Sequence, residues 1–180
     1  MAINITYFVH GTTADNKKGI SSGWHDAELS EKGMEQSKEL RTLIKDKKFD
    51  VVFCSDLKRA YDSARLTFER DVKIIKDKRL RECNYGEYNA KPSEIVEPMQ
   101  EEKIEKRFPE GESYEDVKAR VGDFLKYLKN NYDGKQIAIV AHKAPQLALE
   151  VILKGKTWEQ AFAEDWRKKK AWQPGWDYFL

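Results

Sequence analysis

Four short runs rich in β-branched and aromatic residues, Ile3–Val9, Asp50–Cys54, Val72–Ile75 and Gln136–Ala141, are separated by stretches whose apolar residues recur at helical spacing. No other feature restricts the fold as much. Strands that apolar on both sides must be covered on both sides, and parallel strands are covered by the helices that connect them. The pattern predicts an α/β fold: a three-layer α/β/α sandwich around a mostly parallel central sheet. Ser30 is placed to cap a helix carrying Met34, Leu40, Leu43 and Ile44 toward the core. Leu57, Ala60, Tyr61, Ala64 and Phe68 mark an amphipathic helix over Asp56–Phe68. Ser113-Tyr114-Glu115-Asp116 reads as a capping box, opening a helix with Val117, Val121, Phe124, Leu125 and Leu128 on one face. Pro145 falls near the start of the next helix, where its missing N–H costs nothing. Gly155 stops that helix, and Thr157-Trp158-Glu159-Gln160 caps another.

Residues of about 82–112 interrupt this rhythm. They contain Pro92, Pro98 and Pro109 and show little periodicity, so they are expected to form a partly helical excursion that roofs the site. The chain has no repeats and no low-complexity linker, and its 180 residues suit a single domain over 1–180. With a net charge of +2 there is no broad field to attract nucleic acid. The local run Arg167-Lys168-Lys169-Lys170 reads as the solvated end of a helix. Cys54 and Cys83 lack metal or redox spacing and are expected to be reduced thiols. The first residues carry no basic, signal-like region, and no segment is apolar for long enough to span a bilayer. A cytoplasmic protein with neither nucleic-acid nor membrane partners is the expectation.

Ligands of parallel α/β sheets gather outside the carboxyl ends of the strands. Three polar groups fall there: His10 after the first strand, Ser55 with Arg59 after the second, and His142 after the fourth. Two histidines and an arginine converging on one crevice suit an anionic, tetrahedral group. A neutral imidazole can attack phosphorus, and a guanidinium can hold two oxygens in a fork.

Six ordered blocks carry a resemblance that covers most of the chain. They are His10, Gly11, Thr13 and Asn16; Gly23, Asp26, Leu29, Ser30 and Gly33; Ser55-Asp56-Leu57-Lys58-Arg59-Ala60; Leu80-Arg81-Glu82 with Tyr85-Gly86; Pro109–Ser113 with Arg120-Val121; and Ile137–His142. In these the chain resembles the histidine phosphatase superfamily, which includes the cofactor-dependent phosphoglycerate mutases. The resemblance implies a two-step phosphoryl transfer on a small phosphorylated metabolite. His10 would become a phosphohistidine, and Arg59 and His142 would bind the transferring group. Glu82 would protonate the leaving oxygen and then activate water. Gly11, Thr13, Asn16, Ser22 and Gly23 would line the phosphate or substrate side. No metal or other cofactor is implied.

The departures from the family pattern are equally specific. Val9 stands where the family has an arginine, Thr12 where it has a glutamate, and Lys143 where it has a glycine. Lys143 therefore has two readings: a surface residue at a helix start, or a phosphate-binding cation that replaces the missing arginine. Glu87 could share the acid role of Glu82, Glu112 could be a plain loop charge, and His25 is expected at the surface or behind the site. The late aromatics Trp158, Phe162, Trp166, Trp172, Trp176, Tyr178 and Phe179 serve packing, pocket closure or a homodimer contact. Three functions follow: a phosphomonoesterase first, a phosphoglycerate mutase second, and a phosphate-binding pseudoenzyme weakened by the loss at Val9 third.

Overall fold

The computed structural model describes residues 2–68 and 72–180. Its elements, in chain order, are β1 (Asn4–Val9), α1 (Ala14–Lys17), β2 (Ile20–Ser21), α2 (Glu31–Leu43), β3 (Val51–Cys54), α3 (Lys58–Phe68) and β4 (Ile74–Lys76). There follow β5 (Lys91–Pro92), α4 (Ser93–Val96), α5 (Tyr114–Asn131), β6 (Gln136–Ala141), α6 (Lys143–Lys154), α7 (Trp158–Ala163), α8 (Trp166–Lys169) and β7 (Trp176–Phe179). The main sheet runs β4-β3-β6-β1-β7. β1 and β6 pair in parallel from Asn4↔Gln136 to Val9↔Ala141, and β3 lies parallel to both β4 and β6. β7 closes the far edge antiparallel to β1.

Side chains alternate across each strand, which divides the core in two. Ile5 and Tyr7 of β1 face the same side as Phe53, Ile137 and Ile139, where they meet Val117, Val121, Phe124 and Leu128 of α5 and the buried face of α6. Phe8, Val52, Cys54, Ala138 and Val140 point the other way, against Ala64 and Phe68 of α3 and Ile44 at the end of α2. Helices α5 and α6 pack together on one face, and α2 and α3 pack together on the other. This is the three-layer α/β/α sandwich with a mostly parallel sheet.

Ser113 and Thr157 both form capping boxes, and Gly155 ends α6 in the left-handed conformation at φ 67°. Helix α3 starts later than its periodicity suggests. The Ser55 hydroxyl accepts from the Leu57 N–H, and the Asp26 carboxylate accepts from the Lys58 N–H at 2.7 Å, so the cap comes from another segment. Strand β4 begins at Ile74 rather than Val72, because its register is set by Val52–Cys54 alongside it.

The core face of α2 is a correction. Met34 and Leu43 are exposed, while Gly33 and Ser37 are buried. The reason is a close approach of backbones. A Cβ at Gly33 would lie 2.0 Å from the Thr12 carbonyl oxygen, and one at Gly11 would lie 2.4 Å from the Gly33 oxygen. The turn after β1 therefore packs against the small-residue face of α2, and no large side chain fits between them.

The stretch of about 82–112 holds two 3-10 turns, the helix α4, and strand β5 paired with β2. Buried Val96, Phe108 and Tyr85 anchor it to the core. The C-terminal aromatics include a strand that the sequence pattern did not reveal, β7, whose buried Tyr178 donates to Glu150 at 2.6 Å. Both cysteines are buried free thiols, and burial pushes Cys54 up to about 12. Among the described residues no helix is long and apolar enough to cross a membrane.

Candidate active site

A cavity of about 750 Å³ opens at the carboxyl ends of β1 and β6. Its walls come from the turn after β1, helices α2 and α3, the excursion, the start of α6, and α8 with the loop that follows it. Of the residues expected at the site, His10, Gly11, Asn16, Ser22, Gly23, Arg59, Glu82 and Lys143 line this cavity.

His10 leaves the end of β1 with its backbone N–H bonded to the Ala141 carbonyl at 3.0 Å. Its Nδ1 lies 2.7 Å from the Gly11 carbonyl oxygen. A carbonyl only accepts, so Nδ1 carries the proton and Nε2 keeps its lone pair. Burial, and then the Arg59 charge, lower the imidazole pKa to about 3. The ring is therefore neutral across the physiological range. The Gly11 N–H donates to the Ser63 hydroxyl at 3.0 Å, and Ser63 donates onward to the Arg59 carbonyl at 2.8 Å. Ser63 thus couples the turn that follows His10 to the arginine one helical turn earlier.

His142 caps the entrance to α6 from beneath His10, with the two ring centroids 5.1 Å apart. The Tyr7 hydroxyl holds its backbone from both sides, donating to the His142 carbonyl at 2.6 Å and accepting from its N–H at 3.0 Å. The side chain is wholly buried, and neither ring nitrogen has a partner among the described residues. Burial, then Arg59, hold its pKa well below the usual histidine value. A buried imidazole with both nitrogens unpartnered is costly unless a ligand completes it.

Arg59 is buried on α3 and donates to the carbonyls of His25 at 2.9 Å and Gly23 at 2.7 Å. Two of its five N–H groups are committed there, and they tie the Gly23 loop to the site. Gly23 needs its left-handed φ of 56° for that loop, since a Cβ there would lie 2.0 Å from Asn89 Oδ1.

Glu82 is nearly buried, and its Oε1 accepts from the N–H groups of Cys83 at 2.8 Å and Ala144 at 3.1 Å. Both bonds fall on Oε1. The Glu82 carbonyl accepts from Trp24 Nε1 and Arg120 Nη2 at 2.7 and 2.9 Å. Arg120 also binds Glu112 through two bonds, and Glu112 accepts from the Asn84 N–H. Glu112 is thus part of the frame that holds Glu82. Glu87 is exposed and lies outside the cavity.

Three expectations change. His142 is wholly buried and is not among the residues that line the cavity; it stands behind His10, with the two rings 5.1 Å apart. Thr13 is wholly buried and does not line the cavity. Its hydroxyl caps α1 through the Asn16 N–H, while Asn16 Oδ1 accepts from the Thr13 N–H, so the threonine is committed to shaping the turn. Lys143 is buried, not a surface residue, because the first turn of α6 runs beneath α8, where it lies 3.7 Å from Asp165. Burial is the main cause that lowers its pKa to about 8. His25 is exposed beside Asp15, as expected.

Ser63 stands in none of the sequence blocks, and Gln36, which follows the second block, and Arg167 carry no assigned role in the sequence. Gln36 Oε1 accepts from both the N–H and the hydroxyl of Thr12, each at 2.9 Å. Arg167, read as part of a solvated helix end, is exposed like Lys168, Lys169 and Lys170, and it also lines the cavity together with Trp166 and Trp172. Val9 packs on the core and lines the same cavity. Among the described residues no group of three or more histidine, cysteine or acidic side chains is arranged to hold a metal ion.

A layered α/β fold that presents a neutral imidazole, a buried guanidinium and a carboxyl to one cavity, with a second buried imidazole 5.1 Å from the first, is suited to phosphoryl transfer. A sequence profile of the histidine phosphatase superfamily (branch 1) matches residues 7–175, and the chain belongs to that family. It is 31% identical over 170 residues to a 2,3-bisphosphoglycerate-dependent phosphoglycerate mutase of Parvibaculum lavamentivorans, covering 86% of this chain and 81% of that one. It is 35% identical over 134 residues to the fructose-2,6-bisphosphatase TIGAR of Xenopus tropicalis, covering 69% of this chain; it spans about half of that relative, 49%. The α-ribazole phosphatase structure from Shigella flexneri superposes with a TM-score of 0.78 at 27% identity, covering 91% of this chain and 84% of that one. The chain is an enzyme of a family whose members are phosphatases and mutases.

Proposed function

We propose that the protein is a phosphomonoester hydrolase that works through a phosphohistidine on His10, acting on a small phosphorylated metabolite. The observation that carries this reading is the locked tautomer of His10. With Nδ1–H committed to the Gly11 carbonyl at 2.7 Å, the Nε2 lone pair is free beside His142 and Arg59. In the first step Nε2 attacks phosphorus, the ester P–O bond breaks, and the leaving oxygen takes the proton from the Glu82 carboxyl. The Gly11 carbonyl then stabilises the positive charge that develops on the phosphorylated ring. In the second step the Glu82 carboxylate takes a proton from water, the water oxygen attacks phosphorus, and the P–N bond breaks. Neutral His10 and protonated Glu82 are restored, with inorganic phosphate released.

Arg59 and His142 stabilise the charge on the transferring group. A cavity of about 750 Å³ leaves ample room beyond a phosphoryl group for an organic moiety. The test is a denaturing quench at alkaline pH after incubation with a labelled phosphomonoester, followed by acid treatment of a second aliquot. Alkali-stable, acid-labile label is expected on the wild type and lost in His10→Ala, and released phosphate should match the ester consumed. Isomerisation of phosphoglycerate without net phosphate release would replace hydrolysis with the mutase reading. Absence of label with every ester would favour a binding protein.

A further inference from the structure

The first strand ends in Val9 where a cation would meet the phosphoryl group, and the same cavity is lined by two cations that no motif assigns. Lys143 is buried one residue beyond His142, and Arg167 lies on α8, close to Lys143 in space. Both line the same cavity as His10. Their counter-charges fall short of satisfying them. Buried Asp165 lies 3.7 Å from Lys143 Nζ and 3.5 Å from Arg167 Nε, and half-exposed Glu97 lies 3.4 Å from Arg167 Nη2. Charge-assisted hydrogen bonds close to about 2.7–2.9 Å, and none of these pairs does. Asp165 moreover spends one oxygen on the Arg167 N–H as the cap of α8. Trp166 adds a buried indole N–H with no partner among the described residues, on the same cavity wall.

We propose that Arg167, with Lys143 beside it, is the relocated cation of this active site, holding the non-bridging oxygens of the phosphoryl group that His10 receives. This rests on the hydrolase reading above and names a further catalytic residue within it. The positive charge reaches the reacting centre: Arg167 is among the groups that hold the His10 ring in its neutral form, and it also disfavours the charged form of Lys143. Two cations that repel each other around one shared carboxylate are stabilised when a dianion arrives between them. Arg167 exchanges its long contact with Glu97 for short, forked bonds to phosphate oxygens, and Lys143 supplies a point charge.

The experiment compares Arg167→Ala, Arg167→Lys and, as a control on the same short helix, the exposed Lys168→Ala. Two readouts are used: the rate of His10 labelling after rapid quenching, and the affinity for inorganic phosphate. Arg167→Ala should lower the labelling rate by about 10²–10³, the loss seen when one transition-state donor is removed, and should weaken phosphate binding. Arg167→Lys should fall between, because lysine keeps the charge and loses the fork, and Lys168→Ala should match the wild type. Adding Val9→Arg to Arg167→Ala should recover part of the loss. Equal labelling rates and phosphate affinities for wild type and Arg167→Ala would overturn the assignment while leaving the phosphohistidine mechanism intact. Failure of the wild type to label would sink the mechanism instead. The phosphate affinities would then decide the cation site alone: weaker binding by Arg167→Ala would support it, and equal binding would overturn it.

Discussion

Replacing Lys143 by methionine is expected to make the protein more stable and less active at once. The ammonium group is buried, and its pKa falls from 10.5 to about 8, with desolvation the largest cause and the Arg167 charge the second. At about 1.36 kcal/mol per pH unit, that gap corresponds to roughly 3 kcal/mol of native-state penalty on the charged form. The sign follows from proton binding. Between pH 10.5 and 8 the unfolded chain holds this proton and the folded one largely does not, so stability rises with pH in that window. Below about pH 8 the whole penalty is present. Methionine has a similar volume, no charge, and fits irregular space. Asp165 loses one neighbour but keeps Arg167 and the N–H it caps, so the net gain should be about 1–3 kcal/mol at pH 7, a few degrees in Tm for a chain of this size. Urea denaturation of both proteins at pH 7 and near pH 10.5 measures it. The variant should win at pH 7, and the difference should shrink at the higher pH, where the wild-type amine is already neutral. A variant less stable at pH 7, or a gain indifferent to pH, would refute the reasoning. Phosphomonoesterase activity should fall in the variant, and the wild-type rate should decline above about pH 8 as Lys143 loses its proton.

Tyr7→Phe removes the hydroxyl that both donates to the His142 carbonyl and accepts from its N–H. It leaves the buried His142 N–H unpaired, while the carbonyl keeps only a long 3.4 Å bond from the Gln146 N–H, so a loss of about 1–3 kcal/mol in stability by denaturant unfolding is expected, with a lower turnover; an unchanged midpoint would contradict it. The His10 ring, held near a pKa of about 3 by burial and Arg59, should show no NMR titration between pH 5 and 8. Because its folded pKa lies below the ordinary 6.5, this group draws stability down as pH falls from about 6.5 toward 3. An acid midpoint for His10 near 6.5 would disprove the buried, neutral state.

The layered fold is legible because strand and helix periodicities alternate cleanly: Gln136–Ala141 and the Ser113 capping box are each recognisable within a few residues. Strand ends also locate His10, Arg59 and His142 without reference to three-dimensional contacts. The failures share one cause, the approach of elements distant in sequence. Met34 and Leu43 have the right spacing to face the core, yet Gly33 must touch the Thr12 backbone, so α2 is rotated to bury its small residues. Thr13 sits in a phosphate motif but is consumed by capping α1. Ser63 could have been suspected, since it follows Arg59 at i+4 on the same helix face. Arg167 could not, because a basic run at a short helix looks the same whether it faces water or a cavity.

Moving a cation from the end of β1 to α8 changes more than its address. A side chain at position 9 would be fixed by the end of a strand held in register with β6, where Val9 pairs with Ala141. Arg167 instead rides on a four-residue helix and carries about 2 kcal/mol of rotamer entropy that must be lost on binding phosphate. Part of that cost is offset beforehand: Asp165 and Glu97 already hold the guanidinium near the cavity, at distances too long to compete strongly with a dianion. Lys143 supplies the preorganised share, since its burial in the first turn of α6 leaves it few alternatives. The arrangement also makes charge at the site depend on the C-terminal segment, because Trp166, Arg167 and Trp172 form one wall of the cavity and Glu97 of the excursion forms another. Specificity and catalysis are thereby coupled: an organic moiety that spreads those two walls would weaken the Arg167–Glu97 contact and release the guanidinium toward the phosphoryl group. Substrates with a moiety large enough to touch both walls should then gain in kcat as well as KM over bare small esters. In Arg167→Ala that kcat advantage should disappear while the KM difference persists.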